Sequence, residues 1–154
     1  MKKKYILLLF FYLGVHILFG QKCVNYYKSH ECADFNKKGF YLFGQSRSTV
    51  LEIGVKSQFE VVLKGERDYI VTCCTERGYY PVHFVLTTKD GGEVLYDNMT
   101  DDYMNSIGFT IENTQTIIIS VTLLAEGKQP EDFDENRACV GVAIQFRKTP
   151  RIGF

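Results

Sequence analysis

The chain has 154 residues, of which 45% are hydrophobic, and its 18 Lys+Arg balance its 18 Asp+Glu, for a formal net charge of zero. The basic residues are scattered, which excludes the dense cationic surface that nucleic-acid binding requires, so no nucleic-acid partner is expected. The length suits one domain with one hydrophobic core.

Residues 1–20 have the pattern of a secretory signal peptide. Three lysines at positions 2–4 precede an apolar run from Tyr5 to Phe19, and Gly20 is a plausible cleavage point. The run is shorter than the roughly 20 residues of a spanning helix, which disfavours a membrane anchor. A lipidated Cys23 is disfavoured because no small residue directly precedes it. We therefore expect an exported chain, periplasmic or extracellular, with no transmembrane segment after residue 20.

The mature chain divides into a cysteine-bearing segment, 21–38, and a β domain, 39–154. Five runs within the β domain alternate apolar and polar residues, the period of half-buried β-strands. They are QFEVVL (58–63), DYIVTCC (68–74), VHFVL (82–86), TIIISVTLL (116–124) and CVGVAIQF (139–146).

Polar and glycine-rich turns separate these runs. The sequence KDGGE at 89–93 predicts a tight hairpin, because its glycines tolerate the positive φ angles of such turns. A long acidic loop is expected at 125–137. About eight strands, mostly hairpin-connected and antiparallel, predict an all-β fold in which two sheets pack as a jelly-roll-like β-sandwich. A barrel stays open as the alternative.

The adjacent cysteines Cys73 and Cys74 should not act together, since neighbouring side chains in a strand point to opposite faces. Cys73 is in phase with the core residues Tyr69 and Val71, so we expect it to be a buried free thiol. Cys74 then points away from the core.

Five cysteines lie beyond residue 20, so at least one lacks an internal partner. Cys139 is out of phase with the apolar face of its own strand, and a disulfide with Cys74 is therefore predicted. Cys23 and Cys32 would close a short local loop. The rival interpretation is a metal site of Cys23, His30 and Cys32, with Cys73 or Cys74 as the fourth ligand. That spacing matches no common zinc pattern, and export favours disulfides, so no metal or cofactor is expected.

The chain resembles a family of small, uncharacterised secreted proteins of Bacteroidetes-type bacteria. The matching stretches, in order, are GQSRSTV (44–50), KGERDYIV (64–71), GGEVLYDN (91–98), FTIENTQTIIISV (109–121), CVGVAIQF (139–146) and TPRIGF (149–154). The resemblance implies a β-sandwich, with strands similar to those of sandwich domains appended to secreted peptidases, and it implies no established activity. In the family the cysteine stands at the Cys74 position, and an aliphatic residue stands at the Cys73 position.

Candidate catalytic groups are few. Only His30 and His83 remain after the signal peptide, and no G-x-S-x-G nucleophile motif is present. Oxygen ligands spaced along acidic loops can bind calcium, although solvated loops are the alternative interpretation. The calcium candidates are Asp97, Asp101, Asp102, Asp132 and Asp134.

Four tyrosines near turns, Tyr26, Tyr27, Tyr79 and Tyr80, are candidates for a binding face, because tyrosine combines an apolar ring with a polar tip. The sequence thus favours a non-enzymatic exported β-sandwich that binds an unknown protein or glycan, or belongs to the cell envelope. The alternative is a carboxylate-based hydrolase or a calcium-dependent glycan-binding domain.

Overall fold

The computed structural model describes residues 23–32, 39–126 and 136–149. The predicted signal peptide lies outside this range. The described chain forms nine strands and two short 3₁₀ turns, Tyr26–Lys28 and Asn98–Asp101. The strands are β1 (Tyr41–Leu42), β2 (Arg47–Glu52), β3 (Lys56–Leu63), β4 (Arg67–Thr75), β5 (Val82–Thr88), β6 (Val94–Asp97), β7 (Ser106–Ile111), β8 (Gln115–Leu123) and β9 (Arg137–Lys148).

Two antiparallel sheets make up the fold, which confirms the expected all-β sandwich. In the first sheet, β9 pairs with β4, and β7 follows β4 at the edge. On its other side β9 pairs with both β1 and β2, which occupy different parts of its length. The second sheet has the order β3-β8-β5-β6. In the described part of the chain, no helix is long and apolar enough to cross a membrane.

The connections between strands differ from the sequence-based expectation. The hairpin predicted at 89–93 is present between β5 and β6, and Gly92 has a φ of 64° there. The strands from β2 to β9 otherwise pass from one sheet to the other at each connection, so the expectation of mostly hairpins was wrong. A polar turn indicates where a strand ends, but it does not indicate which sheet the next strand joins.

The core lies between the sheets and follows the predicted alternation. Each long strand contributes every second residue to it, because successive side chains point to opposite faces. The inward residues of β3, β4, β5, β8 and β9 include Val61, Leu63, Tyr69, Val71, Cys73, Val82, Phe84, Leu86, Ile117, Ile119, Val121, Leu123, Val140, Val142 and Ile144.

In parts of β4 and β9 the residues on both faces of the strand are buried, because both faces are covered. Residues 71–75 of β4 and residues 138–145 of β9 are buried without alternation. A second, smaller cluster of Cys32, Cys74 and Ala143 covers the outer face of this sheet, with Tyr26 and Tyr27 packed against it. The segment that contains residues 23–32 therefore lies on the outside of the first sheet.

The turn between β3 and β4 packs closely against the turn between β7 and β8. The Gly65 amide donates to Thr114 Oγ1 at 3.0 Å, and the Glu66 amide donates to the Glu112 carbonyl at 3.2 Å. A Cβ on Gly65 would lie 2.5 Å from the Glu112 carbonyl oxygen, which is a backbone atom and cannot rotate away. Gly65 is thus required by a close backbone approach.

We expect Gly65→Ala to lower the free energy of unfolding by about 1–3 kcal/mol, the usual cost of forcing extra atoms into a packed position. Gly91→Ala is the matched control, because its added Cβ would meet only Thr88 Oγ1 at an ordinary 3.7 Å. Urea unfolding followed by far-ultraviolet circular dichroism measures both. Equal stability of the two variants would contradict this account of the turn.

Candidate binding surface

The N-terminal segment reaches the first sheet because β9 presents small side chains on its outer face. Cys139, Gly141 and Ala143 alternate with the core residues of this strand. A Cβ on Gly141 would lie 2.6 Å from Cys32 Sγ and 2.9 Å from the Tyr27 Cα. The Tyr27 amide also donates to Ser48 Oγ on β2 at 2.8 Å. Small residues on the sheet thus allow the segment to lie directly on the backbone of β9.

The structure contains a disulfide between Cys32 and Cys74, so the pairing predicted from the sequence was wrong. Cys74 is bonded to Cys32 and not to Cys139, and Cys32 does not close a local loop with Cys23. The physical reason is the position of the N-terminal segment, which places Cys32 over the outward face of β4. The bond joins residues 42 positions apart and anchors the segment to the sheet.

Cys73 lies in the core between the sheets, as the alternation of the strand indicated. It is fully buried, and this burial raises the pKa of its thiol well above the usual range. A thiol that stays protonated is a poor nucleophile and a poor metal ligand. Cys73 therefore acts as a small apolar residue of the core.

Tyr26, Glu31, Glu76 and Tyr80 form one group that we call the tyrosine patch, in which Glu31 and Tyr80 are exposed and Tyr26 and Glu76 are half-buried. The Tyr26 hydroxyl donates to Glu31 Oε2 at 2.7 Å, and the Tyr80 hydroxyl accepts from the Thr75 amide at 3.3 Å. Tyr26 also interacts electrostatically with Tyr80 and Glu76. The patch thus joins the N-terminal segment to the loop that follows β4.

The environment keeps both phenols of the tyrosine patch protonated. Burial, and then the hydrogen bond to Glu31, raise the pKa of Tyr26 above its ordinary value. Burial also raises the pKa of Tyr80, against the opposing effect of the Thr75 amide. Both rings therefore offer neutral hydroxyls and apolar faces beside two carboxylates.

The other two candidate tyrosines have different roles. Tyr79 is only 1% exposed and belongs to the core cluster, so it is not available to a partner. Tyr27 is half-buried against the second cluster, with the ammonium of Lys28 5.6 Å from the centre of its ring. Of the pair 79–80, Tyr79 is therefore buried and Tyr80 exposed, whereas Tyr26 and Tyr27 are both half-buried against the second cluster.

The candidate calcium ligands are only partly brought together. Asp97 Oδ1 accepts from the Met99 amide at 3.0 Å and lies 2.9 Å from His83 Nε2, and these interactions lower the pKa of Asp97 against the effect of burial. Asp101, the last residue of the second 3₁₀ turn, and Asp102, which follows it, are both exposed. Asp132 and Asp134 lie outside the described residues. No group of three His, Cys, Asp or Glu suited to a metal ion occurs in the described chain.

An open groove of about 810 Å³ lies at the end of the sandwich where β3 turns into β4. Its lining combines carboxylates and cations, with Glu66 and Glu112 beside Arg67 and Lys148. The lining contains no histidine or cysteine. A wide groove of mixed charge offers no convergent acid and base, so it does not define a catalytic site.

Comparison with known proteins does not place the chain in a family. No family model and no curated protein matches the sequence. Two of the solved structures to which the chain shows a distant likeness are the following. One is PliG of Aeromonas hydrophila, a periplasmic inhibitor of g-type lysozyme: identity is 11%, 75% of this chain and 93% of that chain are covered, and the TM-score is 0.45. The other is the P-domain of Penaeus vannamei nodavirus, at 16% identity, 64% and 94% coverage and a TM-score of 0.27.

Similarities this distant do not assign a function to the chain. The function is therefore inferred from the residues themselves. Sequence reasoning named Tyr26 and Tyr80 but missed the two carboxylates of the tyrosine patch, Glu31 and Glu76. These two residues are far apart in the chain, and both act on Tyr26 because the N-terminal segment lies on the outer face of the first sheet. Neither carries a local motif, so no signal in the sequence could have joined them.

Proposed function

We propose that the protein is an exported, non-enzymatic binding module and that the tyrosine patch binds a protein partner. The observation that carries this proposal is that Tyr26 and Glu31, on the segment anchored by the Cys32–Cys74 bond, lie beside Glu76 and Tyr80 of the loop that follows β4. Tyrosine is enriched among the residues that dominate binding energy at protein interfaces. Anchoring the segment lowers the entropy lost on binding.

The charge of the tyrosine patch indicates the chemistry of the partner. Glu31 is exposed, Glu76 is half-buried, and both act on the hydroxyl of Tyr26. A partner surface with Lys or Arg side chains would complement these carboxylates, and complementary charge accelerates encounter. A protein is favoured over a glycan because the chain contains no tryptophan, the aromatic residue with the largest flat face for stacking on a sugar.

Export is supported by two independent features. The first twenty residues have the charged, apolar and small-residue pattern of a signal peptide. The Cys32–Cys74 bond suits an oxidising compartment, since disulfides are rare in the cytoplasm. The periplasm and the cell exterior both meet this requirement.

The test is capture of a partner by immobilised protein from an envelope extract of the producing cells. We expect one captured protein to lose about tenfold or more in affinity for Tyr26→Ala and for Tyr80→Ala, because a tyrosine that dominates binding contributes about 2 kcal/mol or more and about 1.4 kcal/mol corresponds to tenfold. Tyr41→Ala is the control, since Tyr41 is 67% exposed on β1 and lies outside the tyrosine patch. Unfolding curves confirm that each variant is folded.

Salt dependence provides a second readout of the same surface. Glu31→Gln and Glu76→Gln together should slow association and weaken its dependence on ionic strength. Retention of full affinity by both tyrosine variants would contradict the proposal. So would a glycan array that identifies a sugar whose binding requires none of these residues.

A further inference from the structure

Two further cysteines meet on the same outer face of the first sheet. Cys23 is 9% exposed and Cys139 is 4% exposed, and burial raises the pKa of Cys23 against the opposing hydrogen-bond effects of the neighbouring Cys139 side chain and Val140 backbone. We propose that Cys23 and Cys139 form a second disulfide, which anchors the beginning of the N-terminal segment to β9 as Cys32–Cys74 anchors its end.

The register of the sheet supports this pairing. Cys74 on β4 lies opposite Gly141 on β9, and Cys139 lies two residues before Gly141 on the same face. Cys23 and Cys32 bound a segment of ten residues that crosses this face. With Cys32 bonded to Cys74, the other end of the segment lies over the next outward cysteine of the neighbouring strand.

The positions of the other three cysteines exclude them as partners of Cys23 and Cys139. Cys73 points into the core between the sheets, away from Cys23. Cys32 and Cys74 are already bonded to each other and cannot supply thiolates to a metal. Of the five cysteines, only Cys23 and Cys139 are thus in a position to react together.

The reaction is a thiol–disulfide exchange with an external disulfide, such as that of a thiol oxidoreductase or oxidised glutathione. One thiol loses its proton, attacks the external disulfide and releases one external thiol, and the second thiol then attacks this mixed disulfide and releases the other. Two protein thiols are oxidised and one external disulfide is reduced. Burial raises the pKa of Cys23, so the exchange should be slow once the segment is packed.

A second disulfide would change the number of covalent anchors on the segment that carries Tyr26. With one bond, Tyr26 lies on a segment fixed at its C-terminal end. With two bonds, Tyr26 lies between two covalent anchors at positions 23 and 32. This inference rests on the cysteines alone and stands whether or not the tyrosine patch binds a partner.

Tryptic mapping of the oxidised protein tests the pairing. The protein is alkylated under denaturing, non-reducing conditions at mildly acidic pH, which limits exchange, and is then digested. Cleavage after Lys and Arg separates the cysteines into peptides 23–28, 29–37, 68–77 and 138–147, with Cys73 and Cys74 sharing the third. We expect peptide 23–28 linked to 138–147, peptide 29–37 linked to 68–77, and one alkyl group on Cys73.

Other results would overturn the pairing. A link between 23–28 and 29–37, or between 68–77 and 138–147, would mean that the sequence-based pairing was right. Alkyl groups on both Cys23 and Cys139 would mean that the two thiols stay reduced, and stoichiometric zinc measured in the native protein before alkylation would identify a metal site in their place.

Two variants test the pairing through the number of alkylated thiols, which does not depend on the peptide map. Cys23→Ser should raise the number of alkylated thiols from one to two, because Cys139 loses its partner. Cys73→Ser should lower the number from one to zero. An unchanged count in Cys23→Ser would contradict the second disulfide even if the variant were less stable.

Discussion

Replacing both Cys32 and Cys74 with alanine is expected to lower the free energy of unfolding by about 4 kcal/mol, the largest effect that we expect from a change outside the core. The estimate follows from the 42-residue separation that the bond closes, because a crosslink restricts the unfolded chain in proportion to the logarithm of the loop length. Equilibrium unfolding in urea measures the loss. The N-terminal segment should also become sensitive to proteolysis at Lys28.

The single variants provide the control for this effect. Cys32→Ala and Cys74→Ala each remove the same bond, so each should lose nearly as much stability as the double variant. Two residues that act through one bond give strongly non-additive losses in a double-mutant cycle. Losses that simply add would show that the two cysteines stabilise the protein independently and that the bond contributes little.

Asn98→Ala is expected to lower the free energy of unfolding by about 3 kcal/mol, because it leaves several buried backbone groups without partners. Asn98 is fully buried, at 0% exposure. Its Oδ1 accepts from the Phe84 amide at 2.9 Å, and its Nδ2 donates to the Val82 carbonyl at 2.9 Å and the Met104 carbonyl at 3.1 Å. One side chain therefore joins β5 to the loop that follows the second 3₁₀ turn.

Asn98→Asp separates the role of the donors from that of the acceptor. An aspartate keeps an oxygen for the Phe84 amide but cannot donate to the two carbonyls, so this variant should also be destabilised. Asn113→Ala is the control, since Asn113 is exposed in the turn between β7 and β8. Thermal unfolding of the three variants compares them directly. A value for Asn98→Ala within about 0.5 kcal/mol of the parent, the range of neutral surface changes, would contradict the role assigned to its hydrogen bonds.

The importance of Asn98 illustrates what local patterns leave out. In the sequence it is one polar residue among several at the end of a short strand. Its three partners lie 14, 16 and 6 residues away, and they converge only after β5 and the second 3₁₀ turn have packed together. A polar residue in a turn is usually solvated, so burial of this one could not be inferred from its neighbours in the chain.

The N-terminal segment illustrates the same limit for the candidate site. Three successive outward residues in the middle of β9, Cys139, Gly141 and Ala143, are small, and this was visible in the sequence. Small residues on an outer face are compatible with an exposed strand as well as with close packing, so the pattern alone did not indicate a covering segment. The structure shows that residues 23–32 cover this face and carry Tyr26 and Glu31 to the surface.

By itself the sequence determined the all-β class, the inward and outward faces of the long strands, and the opposite directions of Cys73 and Cys74, and it favoured a two-sheet sandwich over a barrel. These follow from a period of two, which is local and is imposed on any strand that has one buried face. Only the tertiary structure decided which strands are neighbours, which turns cross between the sheets, and which cysteine meets Cys74. Those features depend on contacts between residues that are distant in the chain, and the alternation within one strand carries no information about its neighbour.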